Sequence, residues 1–462
     1  MVFSSLLFLF RFLPITFLIY YLAPTKLKNT VLFLASLFFY TWGEPKFFPI
    51  MLVSIAVNYV AGLLMERFDK KEGVRRACFW IAFAITLGFL LFFKYTNFFL
   101  SNINALLGTS LPLLSSSEFH LPLGISFYTF QILAYTIDVY RRKIKVEHNL
   151  IDFGTFVVLF PQLIAGPIVL YSDISRELKH RKITLEQIND GAGLFIMGLA
   201  SKILLADTIG ALWTEVQTLG FANVSTPLAW MGLLAYSFQI YFDFSGYSLM
   251  AIGLGRMLGF FFPQNFNYPY ISKSITEFWR RWHITLSSWF REYVYIPLGG
   301  NRVGRARHFF NIFAVWFLTG FWHGANWNFI FWGLYFFVLL MIEKIFLLKR
   351  LEKSRILSHV YLIFFVMIGW ALFALSDLSA LGELLQRLFS LNGGNDWMYY
   401  LRDYAGMLIL CVLASTPFFK VLADSRLGKN RVVRTVFLSV VLLVSVAFMV
   451  DSTYSPFLYF NF

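Results

Sequence analysis

One histidine of the sequence has surroundings that suit proton-transfer chemistry. His323 lies between two apolar runs, in the segment TGFWHGANW, with Trp322 and Asn326 close to it. An imidazole can take a proton from a hydroxyl group and so act as a general base. The alternative is a neutral histidine that only forms a hydrogen bond between helices. We treat His323 as the candidate catalytic residue, and Trp322 and Asn326 as candidate substrate contacts.

A second histidine, His283, belongs to a segment rich in arginine and tryptophan, residues 263–307. Residues 274–277 have the spacing of a capping box that starts a helix. We predict that an interfacial amphipathic helix follows at the cytoplasmic face. It either anchors the chain to the membrane surface or forms a basic mouth for an anionic, phosphate-bearing donor. His283 is then a ligand contact or an interfacial residue. The candidate substrate contacts of this segment are Trp279, Arg280 and Arg281.

An acidic residue marks a third group. Asp243 lies in the sequence YFDFSGYS, inside an apolar stretch. An ionisable side chain in such a stretch needs a partner. We expect Asp243 either to hold a ligand, together with Ser245, or to fix the break in a discontinuous helix.

The composition identifies the elements that must position these residues. Hydrophobic residues make up 58% of the 462 residues and charged residues only 14%, against about 25% charged in soluble domains. Lipid offers no partner to an unpaired backbone amide, so the spanning segments must be helical. We therefore predict an all-α polytopic membrane protein. The sequence contains no nucleophile elbow, zinc-protease or phosphate-loop motif, which argues against a serine hydrolase and a nucleotide-driven pump.

The distribution of Lys and Arg predicts the topology. Seven loops contain 32 of the 39 basic residues, and the alternating segments contain three. By the positive-inside rule the basic loops are cytoplasmic and both termini lie outside. Residues 150–171 and 309–342 have basic loops on both flanks, and residues 227–262 must cross once although they are long enough for more, so we predict broken or re-entrant elements in all three stretches. Residues 309–322 would rise about 21 Å as a helix, which puts His323 at the turn of a hairpin inside a hydrocarbon core about 30 Å thick. We expect residues 1–462 to form a single integrated domain.

Three motifs carry a resemblance to a known family: FWHGANW, EFWRRWHITLSSWFREYVYIPLGGNR and YFDFSGYS. They resemble the membrane-bound O-acyltransferases, and among them the bacterial branch that O-acetylates alginate and peptidoglycan. Many relatives carry Asp after FSGYS, where this chain has Leu249. The resemblance implies a ring of tilted helices with re-entrant elements around a transmembrane tunnel. It also implies His323 as the catalytic histidine and His283 as the second signature histidine.

The same resemblance implies the reactants and partners. Acetyl-CoA would be the cytoplasmic acyl donor, used as a substrate, with no bound cofactor or metal. An extracytoplasmic SGNH or esterase-like partner would deliver acetyl groups to a cell-envelope polysaccharide. The expected location is the bacterial inner membrane, among membrane lipids and without nucleic acid. Two rival hypotheses are a transporter or flippase, which should show repeat symmetry, and a structural scaffold.

The C-terminal residues 455–462 read SPFLYFNF and contain no basic residue. An aromatic tail of this kind is often only an interfacial anchor. The alternative is that it folds back into the tunnel, where Tyr459 accepts the acetyl group as a covalent intermediate. The tail resembles the tyrosine-bearing C-terminal motif of the small peptide of the related D-alanylation system, which favours the second interpretation.

Overall fold

The computed structural model describes residues 1–115, 120–426, 428–451 and 458, and within them the chain is helical and has no β-strand. The predicted all-α fold is therefore confirmed. In chain order the α-helices are α1 (Leu13–Leu22), α2 (Lys28–Gly43), α3 (Phe48–Arg67), α4 (Glu72–Leu107), α5 (Ile125–Tyr140), α6 (Leu150–Val158), α7 (Phe160–Leu163), α8 (Tyr171–Lys179), α9 (Leu185–Ala200), α10 (Thr208–Leu219), α11 (Thr226–Met257), α12 (Ile275–Arg281), α13 (Ile284–Phe290), α14 (Arg305–His323), α15 (Trp327–Ile342), α16 (Leu348–Leu351), α17 (Arg355–Ala374), α18 (Leu378–Phe389), α19 (Asp396–Ala414), α20 (Phe418–Asp424) and α21 (Arg431–Asp451).

Four π-helical turns continue or join helices of the described chain. In these turns the backbone hydrogen bonds run between residues five apart, and such turns are frequent at functional sites. They are Phe8–Phe12, Ser201–Asp207, Arg291–Tyr295 and Glu343–Leu347.

Six helical segments of the described chain are long and apolar enough to cross a membrane, and a seventh arises if α19 and α20, bent by 65°, form one span. The protein is thus a multi-pass membrane protein, as its composition predicts. Large apolar side chains on α21, such as Val436 and Leu443, face outward, which a lipid surrounding explains. The six segments are Phe48–Arg67, Glu72–Leu107, Leu185–Leu219, Trp327–Leu351, Arg355–Ala374 and Arg431–Asp451.

The chain forms two compact units, and the first comprises Met1–Phe195 with Met250–Pro263. In this unit α3, α4 and α5 pack on one another, and α2 packs against α6. The segment predicted to be broken, 150–171, is broken: α6 ends at Val158, α7 is a single turn, and residues 164–170 form no helix. Residues 152–169 are all buried, so protein covers this irregular backbone as lipid requires.

The second unit comprises Ile196–Leu249 with Gln264–Phe462, and every candidate site residue that the structure describes belongs to it. The expectation that Asp243 fixes a helix break is wrong, because α11 runs without interruption from Thr226 to Met257. The physical reason is that the Asp243 carboxylate has partners outside its own helix and does not need to cap a turn.

The single integrated domain and the outward-facing termini stay predictions.

Residues 263–307 differ from the predicted single amphipathic helix. The predicted helix start is confirmed, since Oγ of Ser274 accepts a hydrogen bond from the Glu277 amide at 3.0 Å. The reciprocal half of the capping box is replaced, because the Glu277 carboxylate accepts from the Lys273 amide at 2.9 Å. The helix then ends, and α13 begins only after His283, whose φ of 43° is left-handed. The prediction of one continuous interfacial helix is wrong, since the apolar side chains of this segment are buried within the protein and do not form a lipid-facing stripe. These side chains are Trp279, Trp282, Trp289 and Phe290.

The segment 309–342 forms the predicted hairpin. Helices α14 and α15 run antiparallel, with Trp316 against Phe336 and Phe313 against Phe337. The break at residues 324–326 leaves His323 as the last residue of α14. With 19 residues, α14 is about 28 Å long. The hairpin is thus confirmed as a structural unit, and its re-entry into the membrane stays a prediction.

Candidate active site

Glycines allow the two helices of the hairpin to approach each other closely. A Cβ atom on Gly320 would lie under 3.0 Å from the carbonyl oxygen of Phe329 and 3.2 Å from Cα of Gly333. Small residues at such crossings are the usual solution for helix packing in membranes. The approach fixes the tip of the hairpin, because His323 follows Gly320 by less than one helical turn.

The imidazole of His323 is enclosed by aromatic rings. Its side chain is 4% exposed, and the ring centroids of Trp332 and Phe373 lie 5.0 and 5.2 Å away, both edge-on. The neighbouring Trp322 ring lies at 5.0 Å. An imidazole in such a setting is shielded from bulk water.

Two asparagines order the backbone around this tip. Asn326 caps α15, since its Oδ1 accepts a hydrogen bond from the Trp327 amide at 2.7 Å. Asn328 donates through Nδ2 to the carbonyl oxygens of Leu372 and Phe373, both at 3.2 Å. Asn328 thereby ties the end of α17 to α15, which holds the Phe373 ring against His323.

His283 is held by a network that the sequence did not indicate. Its Nδ1 lies 3.1 Å from Oδ1 of Asn265. The same oxygen accepts hydrogen bonds from the backbone amide of Thr285 at 3.3 Å and from its hydroxyl at 2.9 Å. Nδ2 of Asn265 donates to Oγ of Ser248 at 3.1 Å. A backbone amide can only donate, so the Thr285 contact identifies that atom of Asn265 as the oxygen.

This network fixes the proton position on His283. Because Oδ1 of Asn265 can only accept, Nδ1 of His283 carries the proton. Burial lowers the pKa of His283 to about 3, so the ring is neutral and its Nε2 has a free lone pair. Nε2 is buried and has no hydrogen-bond partner among the described residues. His283 therefore presents a buried proton acceptor.

The two histidines share one aromatic neighbour. The Trp322 ring lies 5.0 Å from His323 and 6.1 Å from His283, measured between ring centroids. The ring of Phe244 closes the other side of His283 at 4.7 Å, edge-on. The structure thus brings together three of the predicted site residues, His323, His283 and Trp322, although 40 positions separate the histidines in the sequence.

Asp243 precedes Phe244 in α11 and has one cationic and one backbone partner. Its Oδ1 lies 2.8 Å from Nζ of Lys202, and its Oδ2 accepts a hydrogen bond from the backbone amide of Leu458 at 2.8 Å. Ser245 is buried in the same helix. Tyr459, the predicted acetyl carrier, lies outside the described residues, but Leu458 is its neighbour in the chain.

The other predicted contacts of α12 have separate environments. Trp279 packs its ring against Trp316 and Phe336 at 4.9 Å each, and so joins α12 to the hairpin. Arg281 forms an ion pair with Glu277 at 2.8 Å. Arg280 is exposed. Trp279 is thus part of the packing behind His323, and the two arginines lie at or near the surface of α12.

Sequence reasoning also missed Glu343. Its buried carboxylate accepts hydrogen bonds from the backbone amides of Ile275 and Thr276, at 2.6 and 2.9 Å. A carboxylate is favourable at a helix N-terminus because the first amides have no partner inside the helix. An acidic residue at the end of an apolar run was the available signal. Glu343 fastens α12 to the element that continues α15.

Comparison with known proteins identifies relatives of the chain. The family model described as MBOAT, membrane-bound O-acyltransferase family, matches residues 77–376. This range includes both histidines and the whole hairpin.

Curated relatives extend the match over the rest of the chain. A probable alginate O-acetylase of Azotobacter vinelandii is 41% identical over 400 residues, which cover 86% of this chain and 79% of the relative. A peptidoglycan O-acetyltransferase of Helicobacter pylori is 33% identical over 524 residues, covering 100% of this chain and 98% of the relative. A teichoic acid D-alanyltransferase of Bacillus subtilis is 29% identical and covers 57% of this chain and 73% of the relative.

Proposed function

This chain belongs to the membrane-bound O-acyltransferase family, and from that premise we propose that it transfers acetyl groups from cytoplasmic acetyl-CoA across the membrane, for O-acetylation of an extracytoplasmic polysaccharide. Family membership makes the protein an O-acyltransferase, which argues against the transporter and scaffold hypotheses. Relatives named alginate O-acetylase and peptidoglycan O-acetyltransferase support acetyl as the group and an envelope polysaccharide as the final acceptor. The observation that carries the proposal is that His323 and His283 are both buried and both lie next to the ring of Trp322.

In this proposal His323 is the general base. Its position at the hairpin tip, inside rings of Trp322, Trp332 and Phe373, supports the role, because exclusion of water protects the thioester from hydrolysis.

His283 is the second histidine of the proposed site. Its Nε2 lone pair, fixed by the Asn265 network, can accept a hydrogen bond from the hydroxyl group or from a polar atom of the donor. Because Nδ1 keeps its proton, His283 meets a reactant only through Nε2, as an acceptor, and in this proposal it orients that reactant while His323 removes the proton.

The donor side of the proposal rests on charge. Arg280 and Arg291 are exposed, and Arg281 is held by Glu277. A cluster of arginines suits the phosphates of a CoA molecule. We place this face in the cytoplasm, with both termini outside the inner membrane, in line with the basic loops.

A carrier is needed because the donor is inside and the polysaccharide is outside. We propose Tyr459 as that carrier, supported by the hydrogen bond between the Leu458 amide and Asp243, whose neighbour in the sequence, Phe244, lies against His283. His323 removes the phenolic proton, the phenolate oxygen attacks the thioester carbonyl, and the C–S bond breaks. The proton passes to the leaving thiolate, which departs as free CoA. An SGNH or esterase-like partner outside then takes the acetyl group from the tyrosyl ester.

The experiment that tests this route is capture of the intermediate. Purified protein is incubated with acetyl-CoA carrying a labelled acetyl group, without partner or glycan, and the C-terminal peptide is analysed by mass spectrometry. The expected result is one acetyl group on Tyr459, absent from Tyr459→Phe and from His323→Ala. If the Tyr459→Phe protein carried as much label as wild type, and none of it on the C-terminal peptide, the carrier role would be refuted.

A further inference from the structure

A buried charge cluster in the second unit takes no part in the bond-making and bond-breaking steps proposed above. Nζ of Lys202 lies 2.6 Å from Oδ1 of Asp207 and 2.8 Å from Oδ1 of Asp243. The side chains of Lys202 and Asp243 are 4% and 1% exposed, and that of Asp207 is 21% exposed. Buried ion pairs contribute little net stability, since each ion loses its hydration. A cluster of this kind inside a membrane protein is therefore a candidate for function.

The local backbone explains how the cluster assembles. Lys202 and Asp207 are five residues apart, a spacing that an α-helix places on different faces. They lie in the π-helical turn Ser201–Asp207, whose wider turn brings residues five apart close together. The turn is therefore what makes the pair Lys202–Asp207 possible.

A glycine then brings Asp243 to Lys202. A Cβ atom on Gly246 would lie 2.7 Å from the carbonyl oxygen of Gly198 and 3.1 Å from the amide nitrogen of Lys202. At Gly246 the backbone of α11 thus lies directly against the end of α9 and the start of the π-helical turn. Asp243, one turn before Gly246, reaches the ammonium group from there.

The second oxygen of Asp243 faces a distant part of the chain. Oδ2 accepts a hydrogen bond of 2.8 Å from the backbone amide of Leu458, 215 residues away. A bond of this kind to a charged acceptor is among the stronger hydrogen bonds in proteins. Lys202 and Asp207 keep Asp243 oriented, so that one oxygen holds the cation and the other remains directed at the tail. The contact is made to the backbone amide of Leu458 and not to its side chain, so it requires the N–H group and not the leucine side chain.

We propose that Lys202, Asp207 and Asp243 form a docking site for the chain's own C-terminal tail, in which Asp243 binds the backbone amide of Leu458 and so fixes the position of the next residue. The consecutive Cα atoms of residues 458 and 459 are about 3.8 Å apart. Phe244, the neighbour of Asp243, lies against His283. Docking itself does not depend on the proposed acetyl route; only its effect on acetyl transfer rests on the proposed function. Asp243 is accordingly a positioning residue.

The test removes the N–H donor of the hydrogen bond between Leu458 and Asp243. Leu458→Pro eliminates the backbone donor, and Leu458→Ala is the matched control, since it trims the side chain and keeps the donor. A nitroxide label on Asn461→Cys, in a chain carrying Cys78→Ala and Cys411→Ala, reports the mobility of the tail by electron paramagnetic resonance. The fraction of molecules with an immobilised tail is compared between the two variants in detergent-purified protein. Thermal unfolding of each variant checks that it is folded.

We expect an immobilised label in Leu458→Ala and a mobile one in Leu458→Pro. The ratio of undocked to docked tail should rise at least about tenfold, as expected for the loss of one charge-assisted hydrogen bond. Asp243→Asn keeps an oxygen acceptor and leaves Lys202 paired with Asp207, so it should undock the tail less than Asp243→Leu does. Identical spectra for Leu458→Pro and Leu458→Ala would overturn the proposal.

Acetyl transfer, measured on the same proteins, separates the two proposals. Loss of transfer together with undocking supports both. Undocking without loss of transfer supports the docking site and counts against Tyr459 as carrier. A tail that stays docked in Leu458→Pro refutes the docking site whatever happens to transfer.

Discussion

Replacing Gly320 by alanine should slow acetyl transfer far more than it destabilises the protein. The new Cβ atom would lie under 3.0 Å from the carbonyl oxygen of Phe329, whereas ordinary van der Waals contact begins at 3.4 Å. Helices α14 and α15 must therefore separate by more than about 0.4 Å. Overpacking costs about 1–3 kcal/mol, but alanine regains about 1 kcal/mol of helix propensity over glycine, so the net loss of stability is about 0–2 kcal/mol.

The effect on rate is larger because His323 lies at the tip of that hairpin. A displacement of about 1 Å can cost about 100-fold in rate, so a shift of more than about 0.4 Å predicts a loss of at least about sixfold. The assay is CoA release from acetyl-CoA by purified protein, with thermal unfolding in parallel. Gly88→Ala is the matched control, because Gly88 is helical and a Cβ atom on it would meet no atom within 4 Å, so that only helix propensity changes. Turnover of Gly320→Ala within twofold of wild type would refute the dependence of His323 on the close helix approach.

Two further predictions concern the rest of the site. Asn265→Leu should lower turnover about tenfold or more, since Nδ1 of His283 loses the acceptor that fixes its proton. Asn265→Asp keeps an acceptor and should retain more activity. Equal losses of activity in the two variants would count against the assigned tautomer. Neutralising Arg280, Arg281 and Arg291 together should raise the acetyl-CoA concentration needed for half-maximal rate more than it lowers the maximal rate. An unchanged donor dependence in the folded triple variant would argue for a role at the lipid surface only.

The sequence was sufficient where a local pattern determines the structure. The apolar runs on either side of His323, with the Gly-containing break between them, predict the hairpin that the structure contains. The helix start at Ser274 was also found from local residue types. In both cases the deciding interaction lies within a few residues of the pattern. The break within 150–171 was predicted instead from the basic loops on both of its flanks.

The sequence was insufficient where the deciding partner is distant in the chain. Asp243 was expected to break its helix because Lys202, 41 residues away, was not visible as its counter-ion. The left-handed backbone at His283 lies between α12 and α13, and its imidazole bonds to Asn265, a residue in an irregular segment with no periodic signal. Such contacts appear only when the elements pack, so residue types alone could not reveal them.

The central claim, that His323 provides the base for acyl transfer from acetyl-CoA, is tested most directly by one rate comparison. Initial rates of CoA release are measured for wild type, His323→Ala and His180→Ala, in which an exposed histidine is replaced, with acetyl-CoA saturating and folded protein in equal amounts. We predict that His180→Ala retains the wild-type rate and that His323→Ala loses about 100-fold or more, the contribution expected of a general base. A folded His323→Ala protein that releases CoA at the wild-type rate would contradict this role of the histidine.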